Sequence, residues 1–219
     1  MVPTSRDAAR VLIVDDHPIV RRGLAQLIEQ EPDLEVCGEA KDADTALTAM
    51  AELEPDIALV DLMLKGASGT DLVKTLKARW ADIPILVISM HDEAVYAERA
   101  LRAGAHGYIM KEEATGQVLT ALRKVLSGDV YVSDRMVGHL LRRMVGGGGH
   151  GAGLESLSDR ELEVFQWIGR GLNVPDIAER LSVSPKTVET YRAHIKDKLN
   201  LASSAEVMRL AVRWFDQQN

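Results

Sequence analysis

Val11-Leu12-Ile13-Val14-Asp15-Asp16 is the first of three stretches in this 219-residue chain in which a short apolar run ends on a carboxylate or hydroxyl side chain. The other two are Ile57-Ala58-Leu59-Val60-Asp61 and Ile85-Leu86-Val87-Ile88-Ser89. Short apolar runs bounded by turns are typical of buried parallel strands, and reactive groups gather at the carboxyl ends of such strands in open α/β sheets. We therefore predict that the three ends meet at one site.

Strand-like runs alternate with amphipathic helical stretches throughout the first part of the chain. Further strands are predicted at Glu35 to Ala40 and Gly107 to Met110, and helices from about Pro18 to Glu29, Asp42 to Leu53, Ser68 to Arg79, Asp92 to Ala103 and Thr115 to Ser127. Five βα units predict an α/β fold, a five-stranded parallel sheet with helices on both faces. The second run is the most polar, which favours an edge position and the flavodoxin-like strand order 2-1-3-4-5.

A dense glycine segment, residues 146 to 153, divides the chain, because glycine at this density cannot be held in a helix or a strand. Apolar residues at helical spacing from Ser133 to Met144 predict a linker helix before it. The predicted organisation is a first domain at residues 9–128, a linker helix and Gly-rich linker at 129–153, and a small all-α domain at 154–219.

Composition sets only broad limits. The single cysteine, Cys37, forbids an internal disulfide, and the sequence has no apolar stretch long enough for a signal peptide or a membrane span, so we expect a cytoplasmic protein. The net charge of -7 includes a nearly neutral C-terminal part, where nine Lys and Arg face ten Asp and Glu from Leu154 to Asn219. Overall charge therefore neither requires nor excludes DNA binding.

The strand ends carry the residues that a phosphoryl acceptor needs. Asp15 and Asp16, facing Asp61, concentrate negative charge that a hard cation such as Mg²⁺ neutralises, and such a metal can hold a phosphoryl group during its transfer to a carboxylate. Asp61 is therefore the candidate nucleophile. Ser89 can donate a hydrogen bond to one phosphoryl oxygen and Lys111 can neutralise another.

At these residues the chain resembles the receiver domains of two-component response regulators. The resemblance lies in Val14-Asp15-Asp16, the segment Pro55 to Asp61, Ser89 and the segment Gly104 to Lys111. It implies that Asp61 accepts a phosphoryl group from the phosphohistidine of a sensor histidine kinase. It also implies roles for further residues: Asp16, Asp61 and the Met63 carbonyl as Mg²⁺ ligands, Asp15 acting on the metal largely through water, and Ser89 with Tyr108 as a switch pair.

The C-terminal part has the pattern of a helix-turn-helix. Ser158 with Glu161 fits a capping box, a second helix begins near Pro175, and a third is predicted from Pro185 to Leu199 with Ser184 as its cap. Two short helices joined by a tight turn are typical of DNA-binding motifs. The third predicted helix has four basic residues against two acidic ones from Pro185 to Lys198, a local excess of positive charge suited to DNA phosphates.

Residues from about Leu154 to Phe215 resemble the LuxR-type helix-turn-helix domain. The matching motifs are Leu157-Ser158, Arg160-Glu161, Gly171-Leu172, Ile177-Ala178, Leu181, Ser184, Thr187-Val188 and Lys198-Leu199. By this resemblance Glu189, Thr190 and Ala193 face base edges of double-stranded DNA. Four more residues, Lys186, Thr187, Arg192 and Lys196, contact its backbone, and a fourth helix from Ser204 to Phe215 pairs two subunits.

A receiver joined to a LuxR-type domain resembles the NarL/FixJ class of response regulators, which implies a transcription factor switched by phosphorylation and a homodimer on phosphorylation or on DNA. A phosphatase of the haloacid dehalogenase type also uses a strand-end Asp, but it needs a second acid two residues later, where this chain has Met63. We therefore predict a regulator rather than an enzyme. One alternative stays open, a pseudo-receiver or adaptor controlled by protein contacts, with constitutive DNA binding.

Overall fold

The computed structural model describes residues 8–64, 67–90, 93–138, 154–181 and 183–218. The chain divides into two compact units, Met1–Val145 and Gly146–Asn219. None of the helices described is both long and apolar enough to cross a lipid bilayer.

The first unit alternates strands and helices, as the sequence pattern predicts. Its strands are β1 (Ala9–Val14), β2 (Leu34–Ala40), β3 (Ile57–Asp61), β4 (Met63–Leu64), β5 (Ala67–Ser68), β6 (Ile85–Ser89) and β7 (Gly107–Met110). Its helices are α1 (Pro18–Ile28), α2 (Ala43–Leu53), α3 (Gly69–Arg79), α4 (Glu93–Arg102) and α5 (Lys111–Leu126).

Five of these strands form one parallel sheet in the order β2-β1-β3-β6-β7. This is the predicted order 2-1-3-4-5, and the α/β flavodoxin-like fold class is confirmed. Residues of β3 and β6 are buried throughout because helices cover both faces of the central strands. The sequence pattern did not predict β4 and β5, a two-residue antiparallel pair that follows directly after Asp61.

Helix α5 begins at Lys111, four residues before the predicted start at Thr115. Glu112 and Glu113 lie in its first turn, where acidic side chains interact favourably with the positive end of the helix dipole. The early start fixes Lys111 between the end of β7 and the first turn of a helix. The position of this lysine is therefore set by two regular elements.

The second unit is helical, as predicted. A 3₁₀ helix (Leu154–Ser156) precedes α6 (Asp159–Gly169), α7 (Val174–Arg180), α8 (Pro185–Lys198) and α9 (Ser204–Gln218). The capping box of Ser158 and Glu161 is present, and Ser184 accepts a hydrogen bond from the Thr187 N–H at 3.1 Å. These caps fix where α6 and α8 begin.

The segment between the two units is described only in part. Residues 134–138 are helical, in agreement with the start of the predicted linker helix. The rest of that helix, up to Met144, and the glycine segment at 146–153 lie outside the described residues.

Candidate functional site

The register of the sheet brings the predicted strand ends to one edge. Val14 lies opposite Val60 in the neighbouring strand, Asp61 opposite Ile88, and Ser89 opposite Met110. The residues that follow these positions therefore emerge side by side at the carboxyl ends of β1, β3, β6 and β7. Their functional members, Asp15, Asp61 and Ser89, are at most 1% exposed.

Lys111 joins the two buried carboxylates. Its Nζ lies 2.6 Å from Asp15 Oδ2 and 2.8 Å from Asp61 Oδ2, and its side chain is only 6% exposed. A charged group so deeply buried is stable only with partners, and here each carboxylate supplies one. The structure thus brings together the acid pair, the candidate nucleophile Asp61 and the ammonium group of Lys111.

His17 is a member of this cluster that the sequence pattern did not predict. Its Nδ1 lies 2.8 Å from Asp16 Oδ1, 3.2 Å from Asp15 Oδ1 and 4.0 Å from Asp61 Oδ2. The only signal in the sequence is its place between the acid pair and Pro18, which begins α1. The turn into that helix returns the imidazole over the carboxylates, and the His17 N–H donates to Asp15 Oδ1 at 2.7 Å.

Burial dominates the electrostatics of the pocket. It raises the pKa of Asp61 to about 6, with a further increase from Asp15, although the Lys111 ammonium acts in the opposite direction. For Lys111, burial alone would lower the pKa, but the carboxylates of Asp61 and Asp15 outweigh it and raise the pKa. The negative charge of the three carboxylates therefore exceeds the positive charge of the Lys111 ammonium, and an additional cation would stabilise the ionised carboxylates.

The three carboxylates of this cluster fit a hard divalent cation, which takes oxygen ligands. Ligand atoms of Asp15, Asp16, His17 and Asp61 all lie within 4.8 Å of one another. The buried Oδ2 of Asp15 and Oδ1 of Asp16 accept no hydrogen bond from the described residues, and their polar contacts are the ion pairs with Lys111 and His17. Carboxylate oxygens oriented in this way are the ligands that Mg²⁺ prefers.

The remaining predicted pocket residues lie around this cluster. Met63 is the first residue of β4, and its N–H donates to Asp61 Oδ1 at 3.2 Å. The side chain of Tyr108 is 1% exposed, and Tyr108 lies in β7 opposite Val87, two residues before the end of β6 at Ser89.

Gly69 is a second residue whose role appears only in three dimensions. A Cβ at this position would lie 2.3 Å from the Asp61 carbonyl oxygen and 2.5 Å from Leu62 Cα. The Gly69 N–H also donates to the Leu62 carbonyl at 2.8 Å. The start of α3 is therefore packed directly on the backbone that carries Asp61, an approach that only glycine permits.

The predicted DNA-facing residues lie together on α8, in the second unit. Val188 and Ile195 are fully buried on the inner side of the helix. The seven residues predicted to face DNA are at least partly exposed: Lys186, Glu189, Thr190 and Ala193 are exposed, and Thr187, Arg192 and Lys196 are partly exposed.

Local contacts hold part of this face in place. Arg192 Nη1 donates to Glu189 Oε1 at 2.9 Å, and the Thr190 hydroxyl donates to the Lys186 carbonyl at 3.0 Å. Such contacts within one exposed helix are weak, so a binding partner can displace them at little cost.

Glu161 connects α6 to the end of α8. Its Oε2 accepts from the Ser158 N–H at 2.7 Å and from Lys198 Nζ at 2.6 Å, and its Oε1 lies 3.4 Å from His194 Nδ1. Burial raises the pKa of this carboxyl, but Lys198 and the Ser158 cap outweigh the burial and lower it. The orientation of α8 thus depends on a buried, ionised side chain of another helix.

Both units match known families. Residues 11–123 match the response regulator receiver domain, and residues 155–211 match the bacterial regulatory proteins of the luxR family. The oxygen regulatory protein NreC of Staphylococcus carnosus is 35% identical over 210 residues, which is 93% of this chain and 97% of that protein. The response regulator GacA of Pseudomonas aeruginosa is 33% identical over 93% of this chain and 95% of its own length.

Solved structures agree with these relatives. RcsB from Salmonella enterica serovar Typhimurium, bound to the rprA promoter in the presence of the phosphomimetic BeF₃⁻, is 26% identical over 94% of this chain and 98% of that chain, with a TM-score of 0.59. A LuxR-family two-component response regulator from Aurantimonas is 34% identical over 63% of this chain and 99% of its own, also with a TM-score of 0.59. The chain belongs to the NarL/FixJ class of response regulators, DNA-binding transcription regulators that join a phosphorylation-dependent receiver domain to a LuxR-type helix-turn-helix domain.

Proposed function

We propose that Asp61 is the residue phosphorylated in this regulator, and that a sensor histidine kinase supplies the phosphoryl group. The observation that supports this proposal most strongly is the burial of Asp61 between Lys111 and the acid pair, with Asp61 Oδ2 lying 2.8 Å from Lys111 Nζ. In the reaction an oxygen of Asp61 attacks phosphorus, the bond between phosphorus and the histidine nitrogen breaks, and an acyl phosphate forms. Domain limits at 9–128, 129–153 and 154–219 are part of the proposal.

Mg²⁺ is the cofactor that the donor set supports. Asp16, Asp61 and the Met63 carbonyl would hold it, with Asp15 acting largely through water. When bound, the ion neutralises charge on the phosphoryl oxygens and aligns them for transfer. Lys111 neutralises further charge on the same group, and the Ser89 hydroxyl donates a hydrogen bond to it.

Tyr108 and Ser89 form the proposed switch pair. Phosphorylation adds charge and acceptor oxygens at Asp61, and both can recruit Ser89 and Lys111 toward the new group. A local movement of Ser89 leaves space that the neighbouring Tyr108 can occupy, which alters the surface formed by α4 and β7.

Helix α8 is the proposed reading helix for double-stranded DNA. Glu189, Thr190 and Ala193 face base edges, whereas Lys186, Thr187, Arg192 and Lys196 contact phosphates. RcsB has been solved as dimers bound to DNA, and we extend this arrangement to the present chain as a homodimer formed on phosphorylation or on DNA.

The test compares the wild type with Asp61→Asn, in the presence of Mg²⁺ and a small phosphodonor. We expect the wild type, but not Asp61→Asn, to gain the mass of one phosphoryl group. The phosphorylated wild type should also bind more tightly than the untreated protein to a DNA site selected from random sequences. Asp71→Asn, which alters an exposed acid on α3, is the matched control and should behave as the wild type. Equal DNA affinity and equal oligomeric state of wild type and Asp61→Asn would favour the pseudo-receiver alternative.

A further inference from the structure

Residues 129–138, which follow α5 along the chain, are attached to the edge of the receiver sheet. The Tyr131 N–H donates to the His106 carbonyl at 3.0 Å, and the Tyr108 N–H donates to the Tyr131 carbonyl at 2.8 Å. Tyr131 thereby extends the sheet beside β7, opposite Gly107. A Cβ at Gly107 would lie 2.8 Å from the Tyr131 carbonyl oxygen, so this close approach depends on glycine.

Two residues later the same segment is bound by α4. Glu93, the first residue of that helix, accepts hydrogen bonds from both the N–H of Ser133, at 2.8 Å, and the Ser133 hydroxyl. The Glu93 residue is only 8% exposed. A buried carboxylate is costly unless it is hydrogen-bonded, so Glu93 favours the state in which Ser133 is docked.

Ser133 in turn starts the linker helix. Its Oγ accepts from the Met136 N–H at 3.1 Å, and its carbonyl accepts from the Val137 N–H at 3.0 Å, the pattern of a helix N-cap. Met136, in the first turn of this helix, is only 1% exposed. The first turn of the linker helix is therefore capped by Ser133 while Glu93 binds Ser133.

The elements that hold this segment are the ones that the proposed switch moves. Helix α4 follows β6, which ends at Ser89, and β7 contains Tyr108, whose N–H contacts Tyr131. A shift of either element alters the distance between Glu93 and Ser133. Hydrogen bonds have a narrow range of preferred distances and weaken steeply at angles below about 120°, so this contact is sensitive to movement of either element.

We infer that Glu93 and Ser133 form the joint through which the phosphorylation state of Asp61 reaches the DNA-binding domain. This inference rests on the proposed function of Asp61 and names its route of regulation. Coupling between two sites requires contacts that differ between the two states, and it is reciprocal. Glu93 is a positioning residue in this scheme, because it acts on the linker helix and touches neither the phosphoryl group nor DNA.

The experiment uses the full chain and three variants, Glu93→Ala, Ser133→Ala and the double variant. Glu31→Gln is the matched control, because it removes a carboxylate that pairs with Arg123 elsewhere on the same unit. Each protein is treated with Mg²⁺ and a small phosphodonor, and its phosphorylation is measured by intact mass. DNA affinity with and without the donor gives the coupling ratio, and hydrogen exchange reports the amides of Tyr131, Met136 and Val137.

We expect all five proteins to be phosphorylated. The coupling ratio should fall by about fivefold or more in Glu93→Ala and remain unchanged in Glu31→Gln. The three linker amides should exchange faster in both single variants. The effect of the double variant should be smaller than the sum of the two single effects, because both changes break one contact.

The possible failures are distinguishable. If the wild type is not phosphorylated, the proposal for Asp61 fails, and this inference fails with it. If Glu93→Ala is phosphorylated and keeps both the wild-type coupling ratio and the wild-type amide protection, the inference alone is overturned. Loss of protection with an unchanged coupling ratio also overturns it, because the contact would then be structural only.

Discussion

The receiver pocket and the proposed DNA-facing side of α8 both have charged side chains, but the pocket buries them and the helix exposes them. Asp15, Asp61 and Lys111 are at most 6% exposed and are joined by ion pairs of 2.6 and 2.8 Å. On α8, Glu189 is 57% exposed and Lys196 is 39% exposed, and each pairs with a neighbour on the same helix. Burial makes each interaction in the pocket strong and sensitive to its partner, whereas exposure leaves the reading face available to a partner and to salt.

The largest expected effect tests the buried side of this comparison. Lys111→Met leaves Asp15 and Asp61 without their shared cation and should lower the free energy of unfolding of the receiver unit by about 3 kcal/mol in the absence of Mg²⁺. Added Mg²⁺ should recover more stability in this variant than in the wild type. Calorimetry of the receiver transition measures both.

Lys74→Met is the control for this change. Lys74 is 61% exposed and pairs with Asp71 on the surface of α3, so its loss should leave the transition nearly unchanged. If the two lysine variants lower the free energy of unfolding equally, the buried ion pairs of Lys111 contribute no more stability than an exposed one.

A smaller effect should come from backbone packing beside Asp61. Gly69→Ala places a Cβ against the Asp61 carbonyl and Leu62 Cα, and it should destabilise the receiver unit by up to about 3 kcal/mol. Gly23→Ala on α1 meets no atom within 4 Å and should stabilise the helix by up to about 1 kcal/mol. Thermal unfolding of the two variants side by side measures the difference. A Gly69→Ala protein as stable as the wild type would show that the backbone at Asp61 and Leu62 moves to accommodate the added methyl group.

The exposed side is tested by two changes on α8. Lys196→Ala should weaken binding to all DNA sequences and reduce the salt slope of the affinity by about 1. Thr190→Ala should instead change the preference at one base pair by about 1–3 kcal/mol with an unchanged salt slope. Binding titrations over a series of salt concentrations and operator variants separate the two. Equal, salt-independent losses would argue against α8 lying in the groove.

The smallest effect concerns the buried acid of the second unit. Burial raises the pKa of Glu161, but Lys198 and the Ser158 cap outweigh it and lower the pKa below its ordinary value. The ionised form therefore contributes stability above the ordinary pKa, and this contribution is lost as the pH falls through the lowered pKa. Glu161→Gln should therefore reduce stability by up to about 1 kcal/mol at neutral pH, and the difference should shrink in acid.

Calorimetry of the second unit over a range of pH measures this dependence. Glu179→Gln, an exposed acid on α7, is the control and should show no such change. A difference between Glu161→Gln and the wild type that persists in acid would indicate a cause other than ionisation.

Much of the fold was accessible from the sequence because it depends on local pattern. Apolar runs such as Ile57 to Val60 are long enough to define buried strands, and caps such as Ser158 and Ser184 define helix starts. The start of α5 at Lys111 was mispredicted, because acidic residues that look like loop in sequence stabilise a first turn. Asn173, which caps α7 by accepting from the Asp176 N–H at 3.0 Å, was also missed, although Asn is a preferred N-cap residue.

The sequence by itself determined the alternation of strands and helices, the strand ends that carry Asp15, Asp61, Ser89 and Lys111, and the capped helices of the second unit. These features follow from residue type and spacing along a short stretch of chain. Tertiary structure alone decided several contacts that no sequence pattern indicates. The approach of Gly69 to Asp61 and the contact of Glu93 with Ser133 join parts of the chain whose separation carries no periodic signal. The turn into α1 places the His17 imidazole against the neighbouring acid pair. Such contacts arise only when packed elements bring the side chains within hydrogen-bond or van der Waals distance.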